Sequence, residues 1–124
     1  MREIKFRGMT IRGEWVYGDL LKDSVNFTIV TMTNYDELLS RVYDKRSASV
    51  IPESVGEYTG LKDKHGEDIY EGDILEDEHR ESIGEVVFDE GKFLFKWDNI
   101  SEDLWEVHDE VRVINNTFEI HEGL

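Results

Sequence analysis

Hydrophobic and polar positions alternate along most of this chain, and the period changes once. Glu3-Ile4-Lys5-Phe6-Arg7 alternates apolar and charged residues. Glu14-Trp15-Val16-Tyr17 resumes that pattern after Arg12-Gly13, so the first part predicts a β-hairpin. Asn26-Phe27-Thr28-Ile29-Val30-Thr31-Met32 is rich in β-branched and aromatic residues, which pack well on a pleated surface, and predicts a further strand. Tyr35, Leu38, Leu39 and Val42 then fall at i, i+3, i+4 and i+7, the stripe of one short α-helix over about 35–44. Asn34 stands where an N-cap would accept from the first helical turn, and Glu37 where a capping-box partner would sit. Lys45-Arg46-Ser47-Ala48-Ser49 and the lone Pro52 read as a connector.

Beyond Gly56 the pattern is one of short strands broken by turns. Strands are expected over 74–78, 83–88, 93–97, 104–108, 111–114 and 117–120, lengths that suit a small barrel. Asp63-Lys64-His65-Gly66, Glu71-Gly72-Asp73 and Asp89-Glu90-Gly91-Lys92 carry turn chemistry: glycine tolerates positive φ, and an aspartate can bond the backbone of its own turn. Across the last of these, Val86 and Phe88 share one face, as do Phe93, Phe95 and Trp97, so the two rows can meet in a core. The expected organisation is a β-containing part with one short helix over 1–55, followed by a barrel-like part over 56–124.

Charge divides the chain at nearly the same place. Residues 1–51 hold 7 acids and 8 bases, a net +1, whereas residues 52–124 hold 22 acids and 6 bases, a net −16. Such a surface repels phosphate backbones, which argues against direct nucleic-acid binding and favours a basic protein partner. Arg2, Lys5, Arg7 and Arg12 could in turn attract an acidic surface, within the chain or on another copy, so a homo-oligomer is a further expectation. With no cysteine, the chain has no disulfide framework, thiolate metal site or cysteine nucleophile, in keeping with a reducing compartment. Neither a signal peptide nor a membrane-spanning apolar run is visible, and the expected location is the cytoplasm of a bacterial host cell.

The run Tyr58-Thr59-Gly60-Leu61-Lys62-Asp63-Lys64-His65-Gly66-Glu67-Asp68-Ile69-Tyr70-Glu71-Gly72-Asp73-Ile74-Leu75, preceded by Ile51-Pro52-Glu53-Ser54-Val55-Gly56-Glu57, closely resembles the YopX family of phage and prophage proteins. The opening Arg2-Glu3-Ile4-Lys5-Phe6-Arg7 and the later Trp15-Val16-Tyr17-Gly18 are similar to that family's start. Gly8-Met9 and Asn115-Asn116-Thr117-Phe118 depart from its usual pattern. The resemblance implies a carboxy-terminal barrel of the SH3-like type behind an amino-terminal β-containing part, and it brings no catalytic residue. In its motif Tyr58, Leu61, Ile69, Tyr70, Ile74 and Leu75 serve as apolar anchors between turns.

Chemistry is sparse. Glu71, Asp73, Glu76, Asp77, Glu78 and His79 include the oxygen donors of a metal-dependent hydrolase or nuclease. Consecutive strand residues face opposite sides, however, and no glycine-bearing ligand loop is present, so Glu76, Asp77 and Glu78 read as a solvated acidic edge. His65, His79, His108 and His121 are scattered without zinc spacing, and adjacency of His108 and Asp109 on a strand would point them apart. No nucleophile elbow, phosphate loop or dinucleotide fingerprint occurs. The expectation is therefore a non-enzymatic interaction module with no catalytic residues, metal or cofactor. Its surface is expected to include Glu76, Asp77, Glu78 and Trp105, the last being the aromatic expected to stay exposed for recognition.

Overall fold

The computed structural model describes residues 4–36 and 41–123, which form a mainly β chain of two compact units, Ile4–Glu57 and the stretch from Tyr58 onward. In the amino-terminal unit β1 (Phe6–Met9), β2 (Trp15–Lys22), β3 (Phe27–Asp36) and β4 (Arg41–Val50) form an antiparallel meander. The first residues of β5 (Gly56–Lys62) pair with the outer side of β1. The expected hairpin is there, with Phe6 opposite Gly18 and Met9 opposite Trp15. Gly18 has φ +156°, and a Cβ on it would lie 2.1 Å from the Val30 carbonyl oxygen, so only glycine lets β2 approach β3 at that point. Met9, Ile29, Val30 and Val50 are buried in this unit. Ser54 Oγ accepts from Met9 N at 2.7 Å and donates to Ile51 O, which fixes the one-turn 3-10 segment Pro52–Ser54.

The helix expected over 35–44 does not form within the described residues. Tyr35 and Asp36 end β3, residues 41–44 begin β4, and Tyr35 faces Val42 while Asp36 faces Arg41. Asn34, read as a helix cap, lies inside β3, and Glu37 falls outside the described residues. Of the expected stripe, Leu38 and Leu39 fall outside the described residues, while Tyr35 and Val42 stand opposite each other in the β3–β4 ladder. A helix that short is marginal by itself, whereas the ladder pairs its backbone with β3, whose Phe27-Thr28-Ile29-Val30-Thr31 run is rich in strand formers. The same ladder takes in 45–49, which are strand and not connector: Lys45 faces Met32 and Ser49 faces Thr28.

In the carboxy-terminal unit the rest of β5 pairs with β6 (Asp68–Tyr70), Tyr58 opposite Tyr70. The chain continues through β7 (Asp73–Asp77), β8 (Ser82–Asp89), β9 (Lys92–Trp97) and β10 (Ile100–Asp103). Then come α1 (Leu104–Val107), a 3-10 turn His108–Glu110, β11 (Arg112–Asn116) and α2 (Thr117–Glu122). The strands form an antiparallel sheet in the order β10-β9-β8-β7-β11. That sheet is open, with β10 and β11 at its edges, so the closed barrel expected from the sequence is not what the described residues form.

Ile69, Leu75, Val86, Phe93, Phe95, Leu104, Val107 and Val111 make the core, with Leu61, Trp97 and Val113 packed against it. Most of the expected anchors are inside: Tyr58, Ile69, Tyr70 and Leu75 are all buried. Two expected strands are helical. Over 104–108, the Asp103 carboxylate accepts from Trp105 N at 3.1 Å and starts α1, whose Leu104 and Val107 turn inward. Over 117–120, Asn116 Oδ1 accepts from Glu119 N at 2.9 Å and Gly123, at φ +75°, ends α2 in the left-handed conformation.

The hairpin at 89–92 is a two-residue turn in which Glu90 and Gly91 have φ of +51° and +83°. Positive φ at both central positions is the type I′ geometry that matches strand twist, and Glu90 is strained there. Glu90→Asn is expected to raise stability by roughly 1 kcal/mol, checked by urea denaturation of the two proteins.

Candidate interaction surface of the carboxy-terminal unit

The expected acidic edge resolves into residues with different tasks. Along β7, burial alternates so that Asp73, Leu75 and Asp77 turn inward while Ile74 and Glu76 are partly exposed. Asp77 is buried and is therefore no surface group. It accepts from His79 N at 3.1 Å and Arg80 N at 3.2 Å, and its other oxygen lies 3.2 Å from Arg80 Nε. A buried carboxylate needs such partners to offset its desolvation. Glu76 takes a two-nitrogen contact from Arg112, through Nε at 2.8 Å and Nη2 at 2.5 Å. Glu78 lies 3.1 Å from Arg112 Nε and 3.7 Å from Lys64 Nζ. Arg80 bonds Glu102 as well, and its Nη2 is 3.7 Å from Glu110.

These carboxylates thus converge on arginines. Among the described residues no group of three or more histidine, aspartate or glutamate side chains is placed to hold a metal. Of the acids in the 71–78 stretch, Asp73 is buried and accepts from Tyr70 N at 2.7 Å, closing its own turn. His108 and Asp109 lie in the 3-10 turn, where His108 Nδ1 meets Lys62 O at 2.6 Å.

Asp63 holds a link that spans 50 residues. Its Oδ1 accepts from His65 N at 2.8 Å and Glu67 N at 2.9 Å, the turn bonds expected of it. Its Oδ2 accepts from Val113 N at 2.9 Å, joining the β5–β6 turn to β11. Burial pushes this carboxyl up, but the N–H groups of Val113, Glu67 and His65 outweigh burial and hold it below the ordinary aspartate range.

Trp105 is where the sequence points to an exposed aromatic, and 68% of its surface is open. The geometry of α1 accounts for this: in a four-residue helix that buries Leu104 and Val107, the intervening positions face out. Trp105 borders a groove of about 480 Å³ whose apolar wall also includes Phe88, Phe93 and Leu61. Phe88 was expected in the core. It sits instead at the end of β8, half exposed, with its ring 5.0 Å from that of Phe93. Lys92 and Asp103 line the same groove and pair at 3.7 Å, and Gly60 contributes bare backbone at a break in the β5–β6 register. Its position as the last apolar residue before a turn was the signal that Phe88 had little left to cover it.

A search of curated proteins finds no match. Among solved structures, the chain is similar to the crystal structure of protein EF1440 from Enterococcus faecalis, with 22% identity and a TM-score of 0.62. The likeness covers 100% of this chain and 99% of that one, and it shows a shared fold. The family model described as YopX protein matches residues 5–123, almost the entire length, including the run from Tyr58 to Leu75 that carries the resemblance. The chain therefore belongs to the YopX family.

Proposed function

We propose that this chain is a non-enzymatic interaction module, of phage or prophage type, whose acidic carboxy-terminal unit binds a basic protein in the bacterial cytoplasm. One observation carries the reading. Five of the six bases in 52–124 are already engaged: Lys62 with Asp68, Lys64 with Glu78, Arg80 with Asp77 and Glu102, Lys92 with Asp103, and Arg112 with Glu76. The stretch's 22 acids far exceed what those cations neutralise, so most of the surplus, Asp63 and Asp73 apart, faces solvent as an attractive field for a basic surface. The same surplus repels nucleic acid.

An SH3-like architecture is part of the proposal. It is supported by a five-stranded sheet whose last strand, following a 3-10 turn, returns to pair with the first. Small folds of this kind present loops and helical turns as binding surfaces, although fold by itself fixes no function.

Affinity capture from a bacterial lysate tests the reading, with an unrelated acidic protein of matched charge as control. A partner with a basic surface is expected to be enriched over the control. Re-measured with the purified partner, binding is expected to weaken as salt rises, since exposed charges are screened. Enrichment no greater than the control's, at low and at moderate salt, would refute the proposal.

A further inference from the structure

The groove beside Trp105 has a shape and a charge that specify its occupant more narrowly than the net charge does. We infer that it binds a short extended segment of a basic protein, one that presents an aliphatic or aromatic side chain next to lysine or arginine. The inference rests on the interaction-module reading and locates its binding site.

Trp105 and Phe88 are 68% and 50% exposed, and they meet Leu61 and Phe93 around one concavity, so their exposure is neither scattered nor flat. An exposed apolar patch gathered in a hollow and rimmed by polar groups is the form that binding sites take, and tryptophan is among the residues that most often anchor them. A volume of about 480 Å³ is within the range of sites that seat a few side chains.

Charge then selects among apolar ligands. Asp103 lines the groove, Glu106 adjoins Trp105 in sequence, and Asp89 and Glu90 lead through the turn to Lys92. The cation lining the groove, Lys92, is 56% exposed and pairs with Asp103 at 3.7 Å. An exposed pair of that kind contributes little to stability, so an incoming lysine or arginine can take over the carboxylate. The exposed indole face offers the same cation a second attraction. An acidic or phosphorylated ligand would meet repulsion here.

Gly60 favours an extended segment. It lies in β5 at φ +85°, where the β5–β6 register shifts, and it lines the groove without a side chain. A glycine at a strand irregularity lets another backbone come close.

The probe is a short synthetic peptide in which lysine alternates with leucine and phenylalanine. Its controls are the same peptide with glutamate for lysine and one with serine for the apolar residues. Binding is followed by amide and indole NMR shifts of the full chain. The basic apolar peptide is expected to move the signals of the Trp105 indole, Gly60, Phe88 and Lys92, with both controls binding at least about tenfold more weakly. Trp105→Ala and, as a second variant, Glu106→Lys alter exposed positions and are expected to leave the circular dichroism spectrum unchanged. Each should weaken the peptide, Trp105→Ala by at least about tenfold, the effect of truncating an aromatic anchor. Peptide binding that survives Trp105→Ala, or shifts confined to another face, overturns the groove assignment and leaves the acidic-module reading standing. Failure to bind any basic peptide or basic protein at low salt overturns both.

Discussion

Phe95→Ala is expected to destabilise the carboxy-terminal unit by about 3–5 kcal/mol. Phe95 is 1% exposed, sits in the middle of β9 and packs its ring 4.8 Å from that of Trp97. It also fills the space over Gly84 on the neighbouring strand, where an added Cβ would lie 2.7 Å from Phe95 Cε1. Gly84 beside the ring has no side chain to move into the void, which limits how far the site can collapse around the loss, although Val86 stands opposite Phe95 in the ladder. A loss of this size consumes much of the stability of a small domain. Urea denaturation followed by tryptophan fluorescence gives the measurement. A loss below about 1 kcal/mol would mean that the packing around Phe95 is far looser than the structure indicates.

Asp63→Ala is expected to cost about 2–4 kcal/mol at neutral pH, because three backbone N–H groups lose a charged acceptor together. Asp63→Asn should cost less but not nothing: its amide oxygen can still accept, while its NH2 group is turned toward a backbone donor. The carboxyl is held below its ordinary value in the folded state, so its contribution is fully present above the unfolded value, about 3.9, and is lost as pH falls through the folded value. The stability gap between wild type and Asp63→Ala should therefore be widest near neutrality and narrow below about pH 4. Denaturation of both proteins at a series of pH values checks this, and a gap that stays constant into acid would contradict it.

Features that depend on neighbouring residues were legible in the sequence. The turns at 63–66, 71–73 and 89–92 follow from glycine at positive φ and from an aspartate bonding its own loop, as Asp63 and Asp73 do. The anchors Ile69 and Leu75 were legible for the same reason, being apolar residues held between turns.

What was misread depends on distant partners or on short caps. The stripe Tyr35, Leu38, Leu39, Val42 has helical spacing, and only the ladder to β3 decides against it. Strand-like compositions at 104–108 and 117–120 were overruled by single side chains, Asp103 and Asn116, which supply N-caps. Asp77 is held by partners within three residues, His79 N, Arg80 N and Arg80 Nε, but its burial comes from the inward face of β7 that it shares with Asp73 and Leu75, and that depends on what packs against the strand. Trp105 could be singled out as exposed, yet the groove is assembled from segments around 60, 90 and 104, and a sequence pattern does not bring these together.

The bond between Asp63 and Val113 spans 50 residues, and β11, the strand it reaches, also pairs with β7. On a ribosome, then, the sheet of this unit can begin with its local hairpins but acquires β11 only when residues 112–116 have emerged. Until then the outer edge of β7 stays open to other chains, the kind of interval in which nascent β proteins are most prone to aggregate. Synthesis of β11 is therefore a folding event for the whole unit, and a chain cut before Arg112 would be expected to engage chaperones rather than to persist as a smaller version of the same fold.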